Sequence, residues 1–160
     1  MQDSIFLSTV KGEKTSRPPV WFMRQAGRVF PSYLELRNRY SFWHLMTDPE
    51  LAAKVTLLPV YDLDVDAAIL FSDILVIPYA MGMGLDFTDH GPKFEKPLKD
   101  YDDPFAKLNP EPDKLQYIYM AIDEIIKTRP GNIPLIGFAG GPLTVLCYML
   151  EGLSSKSGFP

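Results

Sequence analysis

The sequence predicts an α/β fold with parallel strands, either a doubly wound sheet or a (β/α)8 barrel, and three observations carry that expectation. Short, continuously apolar stretches recur at Val20-Trp21-Phe22-Met23, within Asp66-Ala67-Ala68-Ile69-Leu70-Phe71 and at Pro134-Leu135-Ile136-Gly137-Phe138, as strands covered by helices require. Stretches of helical length separate them. Each apolar run then gives way to charged residues or glycines, the usual mark of a strand ending in a loop. A parallel barrel takes eight strands and about 250 residues. A chain of 160 residues would supply under half of one.

The elements can be justified in order. A polar leader ends in Ser16-Arg17-Pro18-Pro19, and the first strand comes directly after it. Tyr33 to Tyr40 is a helix by pattern. A clearer helix opens at Asp48-Pro49-Glu50, where a cap residue, a proline at the first helical position and an acid suit the helix N-terminus; it is expected to run to about Leu63. Gly82 to Lys99, with Pro92, Pro97 and the alternation of Leu85 with Phe87, is a loop or an irregular hairpin. Leu115, Ile118, Tyr119, Ile122, Ile125 and Ile126 share one helical face, and Gly131-Asn132 closes that helix. Ala139-Gly140-Gly141-Pro142 turns into a last helix through Met149. No linker or repeat marks a second domain, so residues 1–160 are expected to belong to one.

Composition narrows the function. With 46% hydrophobic and 22% charged residues the chain can build an ordinary globular core. Its net charge of -4 argues against nucleic acid as a partner. No apolar window approaches the roughly 20 residues of a membrane span, so a membrane is not an expected partner either. The single cysteine, Cys147, has no disulfide partner in the chain and suits a reducing, cytoplasmic setting. His44 and His90 form no ligand-spaced cluster, so no metal is expected. Gly82-Met83-Gly84 does not follow a strand and is a turn, not a dinucleotide fingerprint.

In parallel α/β folds the chemistry sits just past the C-terminal ends of the strands. Arg24-Gln25-Ala26-Gly27-Arg28 succeeds the first apolar run, and two arginines flanking a glycine are either a carboxylate-binding loop or a solvated one. Asp73 comes after the second, where it is either a charge in need of partners or a cap for the chain from Ile74 onward. Tyr148 lies on the last helix, and Phe22, Met23, Ile74 and Phe138 are either an apolar floor for a ligand or core.

These same residues carry a family resemblance. Pro19 to Arg28, Asp66 to Val76, and Pro134 to Gly140 running on to Tyr148-Met149-Leu150-Glu151-Gly152 resemble the motifs of the uroporphyrinogen decarboxylases. The resemblance implies a TIM-barrel type (β/α)8 fold, incomplete here, with residues 1–160 forming the N-terminal part and the C-terminal half absent. It implies a cytoplasmic, homodimeric lyase that decarboxylates the four acetate side chains of uroporphyrinogen III to coproporphyrinogen III, using neither metal nor organic cofactor. By motif, Asp73 would accept from the pyrrole N–H groups. Arg24 and Arg28, with Gln25, Ala26 and Gly27 between them, would bind side-chain carboxylates, and Tyr148 would border the pocket. A hydroxyl residue and a histidine of the family's later strands have no counterpart here, so the chain alone is expected to be inactive. Val29-Phe30 and Leu143 also depart from the family pattern. The competing readings are a related corrinoid-dependent methyltransferase barrel and an inactive truncated chain.

Overall fold

The computed structural model describes residues 4–22, 27–88, 91–131 and 133–152. In chain order the helices are α1 (Ile5–Val10), α2 (Pro31–Arg39), α3 (Phe42–Thr47), α4 (Pro49–Leu63), α5 (Val76–Ala80), α6 (Gln116–Thr128) and α7 (Pro142–Glu151). The strands are β1 (Ala68–Ile69), β2 (Leu85–Thr88), β3 (Gly91–Phe94) and β4 (Leu135–Ile136). They fall into two compact units, Met1–Ser72 with Tyr117–Phe138, and Asp73–Gln116 with Ala139–Pro160.

The first unit is organised by α4. Asp48 caps it, its Oδ1 accepting from the Leu51 N–H at 3.0 Å, and Pro49 occupies the first turn where no amide partner is needed. The helix runs to Leu63, as its signals predict, and closes on Asp64 in the left-handed region at φ 53. Because α4 is apolar on most sides, it buries Ala52, Ala53 and every residue from Val55 to Val60. Ala53, Leu57 and Val60 pack with Val65, Ala68, Leu70 and Ile125, and α6 adds Ile118 and Ile122 at the margin.

β1 and β4 pair in parallel, Ala68 opposite Leu135 and Ile69 opposite Ile136. The Ala68 and Leu70 amides donate to the carbonyls of Pro134 and Ile136, and the Phe71 amide donates to the Thr56 hydroxyl at 2.9 Å. The α/β class with parallel pairing is therefore present, with helices between the paired strands.

Two expectations need correction here. Val20 to Phe22 lie in no ladder among the described residues and are exposed, Phe22 at 50%. Pro18 and Pro19 ahead of them carry no amide, and the Val20 N–H goes to the Asp66 carboxylate instead of a strand, so apolar composition alone does not make this stretch a buried strand. The six-residue face of α6 is also too wide. Ile118, Ile122 and Ile125 point inward, whereas Tyr119 and Ile126 lie about 100° further round and are exposed. Leu115 belongs to a 3₁₀ turn before the helix.

The second unit resolves the Gly82 to Lys99 segment as an antiparallel hairpin in which β2 pairs with β3, Leu85 opposite Phe94 and Thr88 opposite Gly91. Leu85 and Phe87 turn inward and Asp86 and Thr88 outward, as the alternation predicts. Phe94 is 1% exposed and packs with Leu75, Met83, Leu98 and Met149. Its amide donates to the Gly152 carbonyl at 2.8 Å, tying the end of α7 to the hairpin. Gly152 itself has φ 82, a conformation that only glycine adopts cheaply at a helix end.

Replacing Ile125 with alanine should destabilise the first unit by about 2–5 kcal/mol, since the site is fully buried. The neighbouring Ile126→Ala change should shift stability by less than about 0.5 kcal/mol. Urea denaturation of the two variants separates them.

Candidate active site

The buried strand that contains β1 ends in Leu70-Phe71, and the chain then turns through Ser72-Asp73. Asp73 is half-buried. Its Oδ1 accepts from the Leu75 N–H at 2.8 Å, so it holds the local turn. Among the described residues two influences act on this carboxyl. Burial is the larger and raises its proton affinity above that of an ordinary aspartate, and the Leu75 N–H opposes it. Asp73 is therefore a partly desolvated charge, and in place of the expected helix cap it makes an i to i+2 turn bond, since the following helix α5 has Leu75 at its cap position and no side-chain cap.

The residue after it, Ile74, is fixed by close packing within the same unit. A Cβ on Gly140 would lie 2.5 Å from Val145 Cγ2 and 3.0 Å from Ile74 Cβ, so the backbone beyond the third apolar run approaches Ile74 at a distance that only glycine permits. Ile74, Val145 and Tyr148 all pack against the core of Leu75, Phe94 and Met149. Asp73 and Tyr148 thus sit on elements that share one core, and Tyr148 is half-buried there.

Gly27 and Arg28 belong to the first unit. They enter a turn in which the Phe30 amide donates to the Gly27 carbonyl at 3.1 Å. Arg28 is exposed. Burial pushes the Tyr33 phenol up, and the charges of Arg37 and Arg28 oppose that shift without cancelling it. Met23, Arg24, Gln25 and Ala26 lie outside the described residues, as does His90. Of the apolar floor, Ile74 is packed as core, whereas Phe22 and Phe138 are exposed. His44 lies 4.0 Å from the Asp48 carboxylate and 5.2 Å, ring to ring, from Tyr40.

One polar cluster escaped the sequence reasoning. Asp66, buried, takes a bidentate pair from the Arg17 guanidinium, Nη1 to Oδ2 at 2.6 Å and Nη2 to Oδ1 at 2.8 Å. The signal was present, because an aspartate heading a buried strand has to find a cation or donors. Its partner lies 49 residues away, beyond the reach of local pattern.

Comparison with known proteins bears on this arrangement. The family model described as uroporphyrinogen decarboxylase (URO-D) matches residues 1–158. The chain belongs to the uroporphyrinogen decarboxylase family. Proteins named uroporphyrinogen decarboxylase from Aromatoleum aromaticum and Bordetella petrii are 48% identical over 158 residues and 45% identical over 157. One from Neisseria meningitidis serogroup C is 47% identical over 159 residues. Each alignment takes in 97% or 98% of this chain and 44% or 45% of the relative, so the chain spans less than half the length of these family members. Among solved structures, a methyltransferase from Methanosarcina mazei aligns with a TM-score of 0.69 and 25% identity, over 94% of this chain and 46% of that one.

The burial of Asp73 has a measurable consequence. A carboxyl whose pKa is raised by folding binds more protons in the folded state, so the stability associated with it falls as pH rises from about 4 through the raised folded value. Asp73→Asn removes that charge and keeps an acceptor for the Leu75 amide. The variant should melt higher than the parent at pH 7, and the gain should vanish near pH 3, where the native carboxyl is protonated in both states. Thermal melts at the two pH values check this.

Proposed function

We propose that these residues form the N-terminal share of an α/β barrel that removes the acetate carboxylates of uroporphyrinogen III as carbon dioxide, giving coproporphyrinogen III. The match of the family model over nearly the whole chain is the observation that carries this reading. The chemistry asks for what Asp73 offers. Losing carbon dioxide from an acetate on a pyrrole leaves an electron pair with no acceptor unless the ring is first protonated. In the protonated ring, the C–C bond electrons flow into the cationic pyrrole as carbon dioxide departs. A proton then adds at the side-chain carbon and the ring proton is released, so each acetate takes up one proton and becomes a methyl group.

A carboxylate held in a partly dry setting is poorly solvated before the ring is protonated and gains an opposite charge afterwards. It therefore stabilises the cation more than the neutral ring, and that difference lowers the barrier. The half-buried position of Asp73 and its raised proton affinity support this role. Arg24 and Arg28 suit the carboxylates of the remaining side chains, because guanidinium groups bind them bidentately and keep their charge at any working pH. Gln25, Ala26 and Gly27 lie between them in the sequence and share in binding the substrate, and Tyr148 borders it. In this reading no cofactor takes part, the assembly is a homodimer, and the setting is the cytoplasm, which suits the free thiol of Cys147.

The likeness to the Methanosarcina mazei methyltransferase favours a second reading, a related methyltransferase barrel, which we take as acting on a corrinoid. Identities of 45% to 48% to proteins named for decarboxylation support the first reading over it. Titration with cobalamin distinguishes them: saturable binding supports the methyltransferase.

Since the chain spans 44% of the length of such relatives, turnover is expected only when the remaining strands are supplied. The test is anaerobic conversion of uroporphyrinogen by the chain with and without a C-terminal segment taken from a relative. Coproporphyrinogen should form only in the joined protein. There, Asp73→Asn should lower kcat by about 10²–10³-fold, the loss typical of a group that stabilises transition-state charge. Arg28→Gln should raise KM by about tenfold, as expected when one charge-assisted hydrogen bond is lost. Wild-type rates in Asp73→Asn would remove Asp73 from the mechanism.

A further inference from the structure

The Arg17–Asp66 pair does more than join two segments. Asp66 Oδ2 also accepts from the Val20 N–H at 2.6 Å, and the Asp66 N–H donates to the Val20 carbonyl at 2.8 Å. Both backbone groups of Val20 are therefore held by one residue. Arg17 Nη1 reaches back to the Pro18 carbonyl at 3.1 Å, and the Arg17 carbonyl accepts from the Thr15 hydroxyl at 3.0 Å. With Pro18 and Pro19 lacking amides, Val20 is the first residue past Arg17 that can be pinned by its own N–H.

The latch matters because of the chain beyond Val20. Trp21 and Phe22 are exposed, so packing does not anchor the chain directly after Val20. On the far side, buried Phe30 donates to the Gly27 carbonyl, and α2 starts at Pro31 with Tyr33 and Leu36 in the core. Arg28 thus leads into a stretch held by packing, and Val20, eight residues before it, is held by hydrogen bonds. Arg17 is half exposed while Asp66 is buried, so the pair adds little to stability, and its bidentate geometry fixes the position of one residue against the other.

We propose that Arg17 and Asp66 are positioning residues, which set the register of Val20 and thereby hold the Gly27–Arg28 turn where Arg28 meets a substrate carboxylate. The link to Arg28 rests on the function proposed above, whereas the latch itself does not.

Hydrogen–deuterium exchange of the chain and of its Arg17→Met, Arg17→Lys and Asp66→Asn variants tests the latch directly. Exchange over residues 20–30 should rise by about tenfold in Arg17→Met, as for loss of charge-assisted hydrogen bonds. It should rise less in Arg17→Lys, which keeps the charge but not the fork, and protection in α4 and α6 should be unchanged. Unaltered exchange at 20–30, or an equal rise in α4, would overturn the proposal. In the joined protein, Arg17→Met should raise KM for uroporphyrinogen with kcat retained, whereas a merely structural role would lower the active fraction and leave KM alone. If Arg28→Gln raises KM and Arg17→Met does not, the positioning role falls. If neither variant changes KM while exchange over 20–30 rises, the assignment of Arg28 to substrate fails and the latch stands.

Discussion

A strand buried on both faces must satisfy its backbone inside the protein, and the stretch from Val65 to Phe71 does so one group at a time. Val20, Pro134, Ile136 and the Thr56 hydroxyl each take one of its amides. The core of the first unit forms around it, because Val65, Ala68 and Leu70 are the residues against which α4 and α6 close. At its start, Asp66 converts a buried negative charge from a liability into a fixed point by accepting from Arg17 and Val20. The Arg17 hydrogen bond contributes most to holding the Asp66 carboxyl below the usual carboxylate range, and the Val20 N–H adds to it against the opposing effect of burial.

The two aspartates near the ends of this stretch have opposite electrostatic character. Asp66 is paired, and its ionised form is favoured by the fold. Asp73 is lifted by burial, so the fold disfavours its charge. The first arrangement serves architecture, and the second is the one that the function proposed above uses, since a desolvated carboxylate has stabilisation to give to a developing positive charge. The close approach of Gly140 to Ile74 adds a steric limit beside it, because any side chain at Gly140 would press on the residue next to Asp73.

Local rules made much of the secondary structure legible. The cap and proline at Asp48-Pro49 announce α4, and the alternation of Leu85 and Phe87 announces β2. Short elements escaped: α1, α3 and α5 have six, six and five residues, too few for a periodic signal to emerge. Val20 to Phe22 has the composition of a buried strand and is not one, because apolar composition does not say whether anything covers it. Of the candidate site, Asp73 stands out in the sequence as a charge after an apolar run, yet its double role as turn acceptor and desolvated acid needed coordinates.

What the sequence determined by itself is therefore whatever depends on neighbours along the chain: the caps, the turns, the α/β alternation, and the motifs that mark the family. Tertiary structure alone decided that Arg17 meets Asp66 and that Ile74 meets Gly140. Those contacts join residues tens of positions apart, and their formation depends on how helices and strands pack in three dimensions, a constraint that local spacing does not encode.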